Sequence, residues 1–313
     1  MRDAFIHTLT ELASQHPEIL LLTGDLGFKV LDPFIARFPS RLLNVGVAEQ
    51  NMSGLAAGLA LEGHTVFTYS IGSFPTLRCL EQIRNDICYH NANVKIVCIG
   101  GGMSYGQVGF THHATEDIAI LRSLPNMLVL SPGDMWEATE ATRYLVSHRG
   151  PAYLRLDKSA AQATAKPGET FSPGRIRTVR HGSHVTLAAT GGVLGEALLA
   201  SDLLMQQGIS CRVLSVHTVK PIDIETLIKA ASETAGIVTI EEHAVDGGLG
   251  GAIAEVLMET GVFPPFFLRM GLRNTFSSVV GTQQYLRRVY SLDAAAIAGA
   301  VSSRLAVAMP AFA

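Results

Sequence analysis

The chain has 313 residues, enough for two domains that each bury a core, and its net charge of −3 with no Lys/Arg run excludes an electrostatic footprint for nucleic acid. It lacks a basic start followed by an apolar stretch and a cleavage site, and no apolar segment approaches the ~20 residues of a membrane span. Neither a secretory signal nor a membrane partner is therefore expected. Cys79, Cys88, Cys98 and Cys211 lack CxxC spacing and read as buried free thiols in a reducing cytosol, so the expected location is cytoplasmic. A hydrophobic share of 48% against 16% charged residues favours large buried faces, some of them in subunit contacts.

Short β-rich runs alternate with longer helical patterns. Ile19–Thr23, Arg41–Val45, Thr65–Tyr69, Val94–Ile99, Met127–Leu130 and Ala152–Leu156 are short, apolar and bounded by turn residues, as buried strands are. Helices fit between them at Asp3–Gln15, Glu49–Leu61, Leu77–His90, Thr115–Ser123 and Asp134–His148, with Thr115 as an N-cap. The pattern breaks at Ser159–Pro173, which mixes Ala, Thr, Pro, Gly and Lys without periodicity, and a linker is placed at 161–180. A second block alternates strands at His184–Ala189, Ser210–Ser215, Gly236–Glu241 and Pro265–Arg269 with helices at Gly195–Gln207, Ile224–Ser232 and Gly250–Glu259. The tail closes with Thr282–Tyr290 and an Ala-rich helix from Asp293 to about Val307. Such alternation predicts parallel sheets: an α/β fold of two doubly wound domains, at 1–160 and 181–313.

Residues 44–52, Asn-Val-Gly-Val-Ala-Glu-Gln-Asn-Met, hold one carboxylate, Glu49, ahead of the small-residue run Gly54-Leu55-Ala56-Ala57-Gly58. A helix so stripped of bulk lets another backbone approach, and a carboxyl buried there has to be protonated or hydrogen-bonded. The helix macrodipole alone also favours an acid in a first turn. His112 and His113 lie between a glycine-rich loop and a helix start and could exchange protons with a substrate's oxygens, although a His-His pair is more often a surface accident. A metal there would lack a third ligand at helical spacing. Glu241-Glu242-His243, ahead of Gly247–Gly251, reads equally as a site or as a hydrated turn. Thr190–Gly195 lacks the first glycine and the ribose-binding acid of a dinucleotide fingerprint, and Gly100–Gly102 lacks a downstream Gly-Lys-Ser/Thr. Both read as tight turns, which leaves NAD binding a weak alternative.

Singly, these decide nothing; their order does. A strand, then G-V-A-E-Q-N-M opening a small-residue helix, Tyr69-Ser70, E-Q-I-R at 81–84, G-x-T-H-H at 109–113, R-S-L-P-N at 122–126 and S-P-G-D at 131–134 resembles the pyrimidine-binding domain of the transketolase family. Pro221-Ile222-Asp223, Glu241-Glu242-His243 and Gly247-Gly248-Leu249-Gly250 resemble that family's C-terminal domain. The resemblance covers nearly the whole chain.

It implies thiamine diphosphate as cofactor, with Glu49 hydrogen-bonding N1′ of the aminopyrimidine and so activating the thiazolium. It implies His112 at the donor's oxygens near the reacting carbon, with His113 beside it as a second substrate-binding residue. Asp25 matches an aspartate near the cofactor, Phe74 is the remaining aromatic for the pyrimidine, and Lys158 lies where an arginine takes the substrate's terminal phosphate. Val108 stands where the family has an aspartate that binds a sugar hydroxyl, and Phe110 adds bulk, which points to a modified, deoxygenated or smaller donor. Nothing resembles the G-D-G…N motif that holds the diphosphate through Mg2+ or Ca2+. The chain therefore reads as the C-terminal half of a split transketolase, with an N-terminal diphosphate-binding subunit as partner in an α2β2 assembly. A 2-oxoacid decarboxylating subunit, and a non-catalytic partner subunit, are the alternatives.

Overall fold

Alternation along the strands sets the layers. In β1 (Ile19–Thr23), Leu20 and Leu22 join one helical layer while Leu21 joins the opposite one. The computed structural model describes residues 1–158 and 163–308, so residues 161 and 162 of the expected linker lie outside the described residues.

The first sheet uses β1, β2 (Leu42–Asn44), β3 (Thr65–Ile71), β4 (Val94–Ile99), β5 (Leu128–Leu130) and β6 (Ala152–Leu156). The second uses β7 (Arg177–Arg180), β8 (Val185–Thr190), β9 (Cys211–Ser215), β11 (Gly236–Ala244) and β12 (Phe266–Leu272), in the order β12-β11-β8-β9-β7. β10 (Thr218–Lys220) follows β9 in the chain but pairs antiparallel with β5, giving the first sheet the order β10-β5-β6-β4-β3-β1-β2. β7 pairs antiparallel with β9, and every other pairing is parallel. The expected α/β architecture with two parallel-dominated sheets is what the chain adopts.

One face of the first sheet packs α1 (Arg2–Ala13), α2 (Asp32–Arg37) and α6 (Met135–Ser147), through Phe5, Leu9, Phe34 and Leu145. The other packs α3 (Glu49–Leu61), α4 (Leu80–Gln82) with the π-helix that continues it (Ile83–Cys88), and α5 (Asp117–Ser123). Burying each large apolar side chain contributes about 1.5–3 kcal/mol, so both layers are anchored by the alternation of the strands themselves. The second sheet is covered by α7 (Leu194–Gln206) and α11 (Ala294–Ala308) on one face, and by α8 (Ile224–Glu233) and α9 (Leu249–Thr260) on the other. α10 (Gln283–Val289) brings Leu286 against Met103 of the first domain.

Three local readings change. The helix expected over Leu77–His90 is a single turn, α4, followed by six residues of wider π geometry in which Tyr89 N donates to Arg84 O at 3.0 Å. Thr115 does not cap α5: its hydroxyl donates to Glu116 Oε1 at 2.9 Å, and Glu116 is the capping position. The stretch expected as linker contains β7. All four cysteines are free and buried, as expected.

Candidate active site

In an open parallel sheet, ligands gather beyond the carboxyl ends of the strands, where the strand order reverses. Here the chain runs outward from β1 to β2 and then returns to the other side of β1 for β3, so the reversal lies between β1 and β3. The loop after β1 carries Gly24 and Asp25, the one after β2 leads into Glu49, β3 ends with Ser70 and Ile71, and the loop after it carries Gly72 to Arg78. Glu49 is 1% exposed, although it stands in the first turn of α3. Its Oε1 accepts from Ser70 Oγ at 3.2 Å, and its Oε2 accepts from Arg78 Nη1 at 3.0 Å. Gly24 closes the third side, because a Cβ there would lie 3.3 Å from Glu49 Oε1. The surroundings expected to be apolar thus contain an ion pair, since Arg78 reaches in from the turn before α4.

From this carboxylate a string of contacts runs outward. The Arg78 guanidinium lies with Cζ 5.1 Å from the Phe74 ring centroid, and that ring meets His112 edge-on at 5.1 Å. His112 Nδ1 is 3.0 Å from Thr111 Oγ1, and its ring lies 6.5 Å from that of Tyr105. Over Tyr105 sits the exposed ammonium of Lys158, 4.8 Å from the ring centroid. Lys158 and Val108 line a cavity of about 220 Å3 with Ser104 and Gln283. Asp25, in the loop after β1, is exposed in a left-handed conformation (φ 58°), held by Asn44 through paired bonds of 2.9 and 3.0 Å.

His113 goes elsewhere. It is 4% exposed and lines a cavity of about 150 Å3 with Leu77 and Phe110 from the first domain and Leu272 and Phe276 from the second. Its Nε2 has no hydrogen-bond partner among the described residues, and burial together with the neighbouring His112 holds its pKa below the ordinary value. His112 is not part of that cavity's lining.

Glu241, Glu242 and His243, read from sequence as a site or a turn, form a buried seam between the domains. Glu241 accepts from Leu249 N at 2.7 Å and Gly250 N at 2.8 Å where α9 begins. Burial nevertheless pushes its carboxyl up to about 7. Glu242 accepts from Met103 N at 3.1 Å, from Gln283 Nε2 at 2.9 Å and from Arg287 Nε. His243 accepts from Ala119 N at 3.3 Å and stands 3.8 Å from Asp117. No group of three His, Cys, Asp or Glu suited to a metal occurs among the described residues.

Arg78 is the residue that sequence reasoning missed. Arg84 of the E-Q-I-R run, by contrast, is exposed and donates to Asn85 Oδ1 at 2.8 Å. The available signal was Arg78 four residues after Phe74.

Residues 1–163 match the family description "Transketolase, pyrimidine binding domain", and residues 174–297 match "Transketolase, C-terminal domain". A chain from Methanocaldococcus jannaschii named as a transketolase C-terminal section is 38% identical over 301 residues, spanning 95% of this chain and 94% of that one. The 6-deoxy-6-sulfo-D-fructose transketolase subunit of a Clostridium species is 38% identical over 295 residues, spanning 94% and 91%. A solved structure described as a split gene transketolase, inactive beta4 tetramer, superposes with a TM-score of 0.88 at 38% identity, covering 96% of this chain and 97% of that one. With both of its domains matched, and relatives of its own length that are split transketolase sections, the chain belongs to the transketolase family as a C-terminal subunit of the split type.

Proposed function

We propose that the chain is the C-terminal (beta-type) subunit of a thiamine-diphosphate-dependent enzyme that moves a two-carbon unit from a ketose donor to an aldehyde acceptor. The observation that carries this reading is Glu49: a carboxylate 1% exposed, at the reversal point of a parallel sheet, linked through Arg78 to the Phe74 ring.

The residues fit the pyrimidine half of the cofactor. Gly24 leaves the Glu49 carboxylate room, and the planar Arg78 donor already stands between Glu49 and Phe74, so a flat nitrogen donor can reach both. The diphosphate half, with Mg2+ or Ca2+, falls to a diphosphate-binding partner subunit, a reading supported by the likeness to a transketolase C-terminal section. When bound, thiamine diphosphate supplies a nucleophile and an electron sink. Glu49 holds a proton against N1′ of the aminopyrimidine, a role suited to a carboxyl removed from water. His112, on the loop edge-on to Phe74, hydrogen-bonds the donor's oxygens and carries their protons. His113 supports that loop from the domain seam, and Asp25 borders the cofactor. Lys158 meets an anionic end of the donor, of the phosphate or sulfonate class, in keeping with the sulfonated sugar named for the Clostridium relative. Val108 beside it offers no hydroxyl acceptor, which favours a modified or deoxygenated donor.

The test is Glu49→Gln assayed with the diphosphate-binding partner and thiamine diphosphate. With its carbonyl oxygen turned to Arg78, Gln presents its NH2 to Ser70 Oγ, which can accept, so folding holds while turnover drops roughly 10²–10⁴-fold. Undiminished turnover would make the chain a non-catalytic partner.

A further inference from the structure

The carboxylate that is to serve the aminopyrimidine is already engaged. Arg78 donates to Glu49 Oε2 at 3.0 Å and lies 5.1 Å from the Phe74 centroid. A guanidinium is flat, rigid and rich in N–H donors, and it readily lies against aromatic rings. Its two contacts are of the kinds an aminopyrimidine would make: a ring nitrogen against a buried carboxylate, and a flat face toward an aromatic. Glu49 Oε2 cannot be held by the guanidinium and by the ring at once. Exposure says which partner yields. The Arg78 side chain is 47% exposed and Glu49 1%, so the guanidinium can swing to water at small cost while the carboxylate has no such exit.

We infer that Arg78 is a placeholder: in the free chain its guanidinium occupies the aminopyrimidine's place on Glu49 and Phe74, and it withdraws when the ring enters. This rests on the reading that Glu49 serves the aminopyrimidine. The device keeps the buried carboxylate hydrogen-bonded while the cofactor is absent, at the modest strength of a pair with one half-exposed partner. It also lowers apparent affinity for the ring by the fraction of molecules in which Arg78 has swung out. Cofactor uptake by the subunit is thereby coupled to the movement of one side chain.

The test uses 4-amino-5-hydroxymethyl-2-methylpyrimidine, which lacks the diphosphate and therefore needs neither metal nor partner. Its binding to the full-length chain is measured by ligand-observed NMR titration for the wild type and for Arg78→Met, Arg78→Lys and Glu49→Gln, with thermal melts confirming that each variant is folded. Arg78→Met should bind about tenfold more tightly than wild type, as expected if roughly a tenth of the molecules have the site open. Arg78→Lys, charged but without the planar fork, should fall between them, which keeps the test decisive if the methionine variant does not fold. Glu49→Gln should bind more weakly than wild type. If neither Arg78 variant binds more tightly while Glu49→Gln weakens binding, the placeholder is overturned and Arg78 becomes a contact that holds the ring. If Glu49→Gln binds as well as wild type, the underlying reading of Glu49 fails instead. No binding by any variant also overturns the placeholder, because a vacated place would accept the ring.

Discussion

Arg155, on the interior strand β6 of the first sheet, donates through Nη2 to the backbone oxygen of Glu242 on the second sheet, 2.9 Å away. The same nitrogen donates to Ala114 O at 2.8 Å, just after the two histidines, and Nε pairs with Asp117 Oδ2 at 2.8 Å. One buried guanidinium thus joins both domains to the histidine loop. Arg155→Met would leave Asp117 buried and uncompensated, and should cost about 3–5 kcal/mol of stability by urea unfolding. A loss under 1 kcal/mol would mean that water replaces the arginine.

Val108, 52% exposed, lines the small cavity that Lys158 overlooks. Val108→Asp should restore a hydroxyl acceptor there. In the assembly with the diphosphate-binding subunit, kcat/KM for xylulose 5-phosphate should rise roughly tenfold to a hundredfold, the size of one charged hydrogen bond. Unchanged preference among ketoses would show that this loop does not meet the donor.

Glu241 titrates far from its ordinary 4.5, near 7, because burial disfavours its charged form. Across that window the folded chain holds a proton that the unfolded chain has released, so its contribution is present at low pH and fades as pH rises toward 7. Glu241→Gln removes this titration. The thermal midpoint of the variant should change less than that of the wild type between pH 4.5 and 7, read by circular dichroism. Parallel curves would place the titration elsewhere in the seam.

What sequence made legible was local. The bounds of α3 emerge as expected, Glu49–Leu61, because an acid followed by small apolar residues marks a helix start without tertiary help. Strands such as β1 and β5 are buried on both faces and therefore stand out as apolar runs. β10 has three residues and α2 six, too short for a period to show. The partner of Glu49 escaped for a different reason. Arg78 lies 29 residues away, and the seat of His113 is built with Leu272 and Phe276 from the other domain. Contacts of that span follow from topology, which no window of neighbouring residues contains.

β10 also bears on where the polypeptide can be divided. It follows β9 of the second sheet, yet Thr218 and Lys220 are zipped to Leu130 and Val129 of the first. A nick within 161–180 would therefore not yield two self-sufficient pieces. The leading piece would surrender its border, baring the outer amides and carbonyls of β5 as a template for unwanted strand pairing. The trailing piece would carry a tongue with no groove. The second domain is in this sense the hem of the first, and the severed halves should stay clasped.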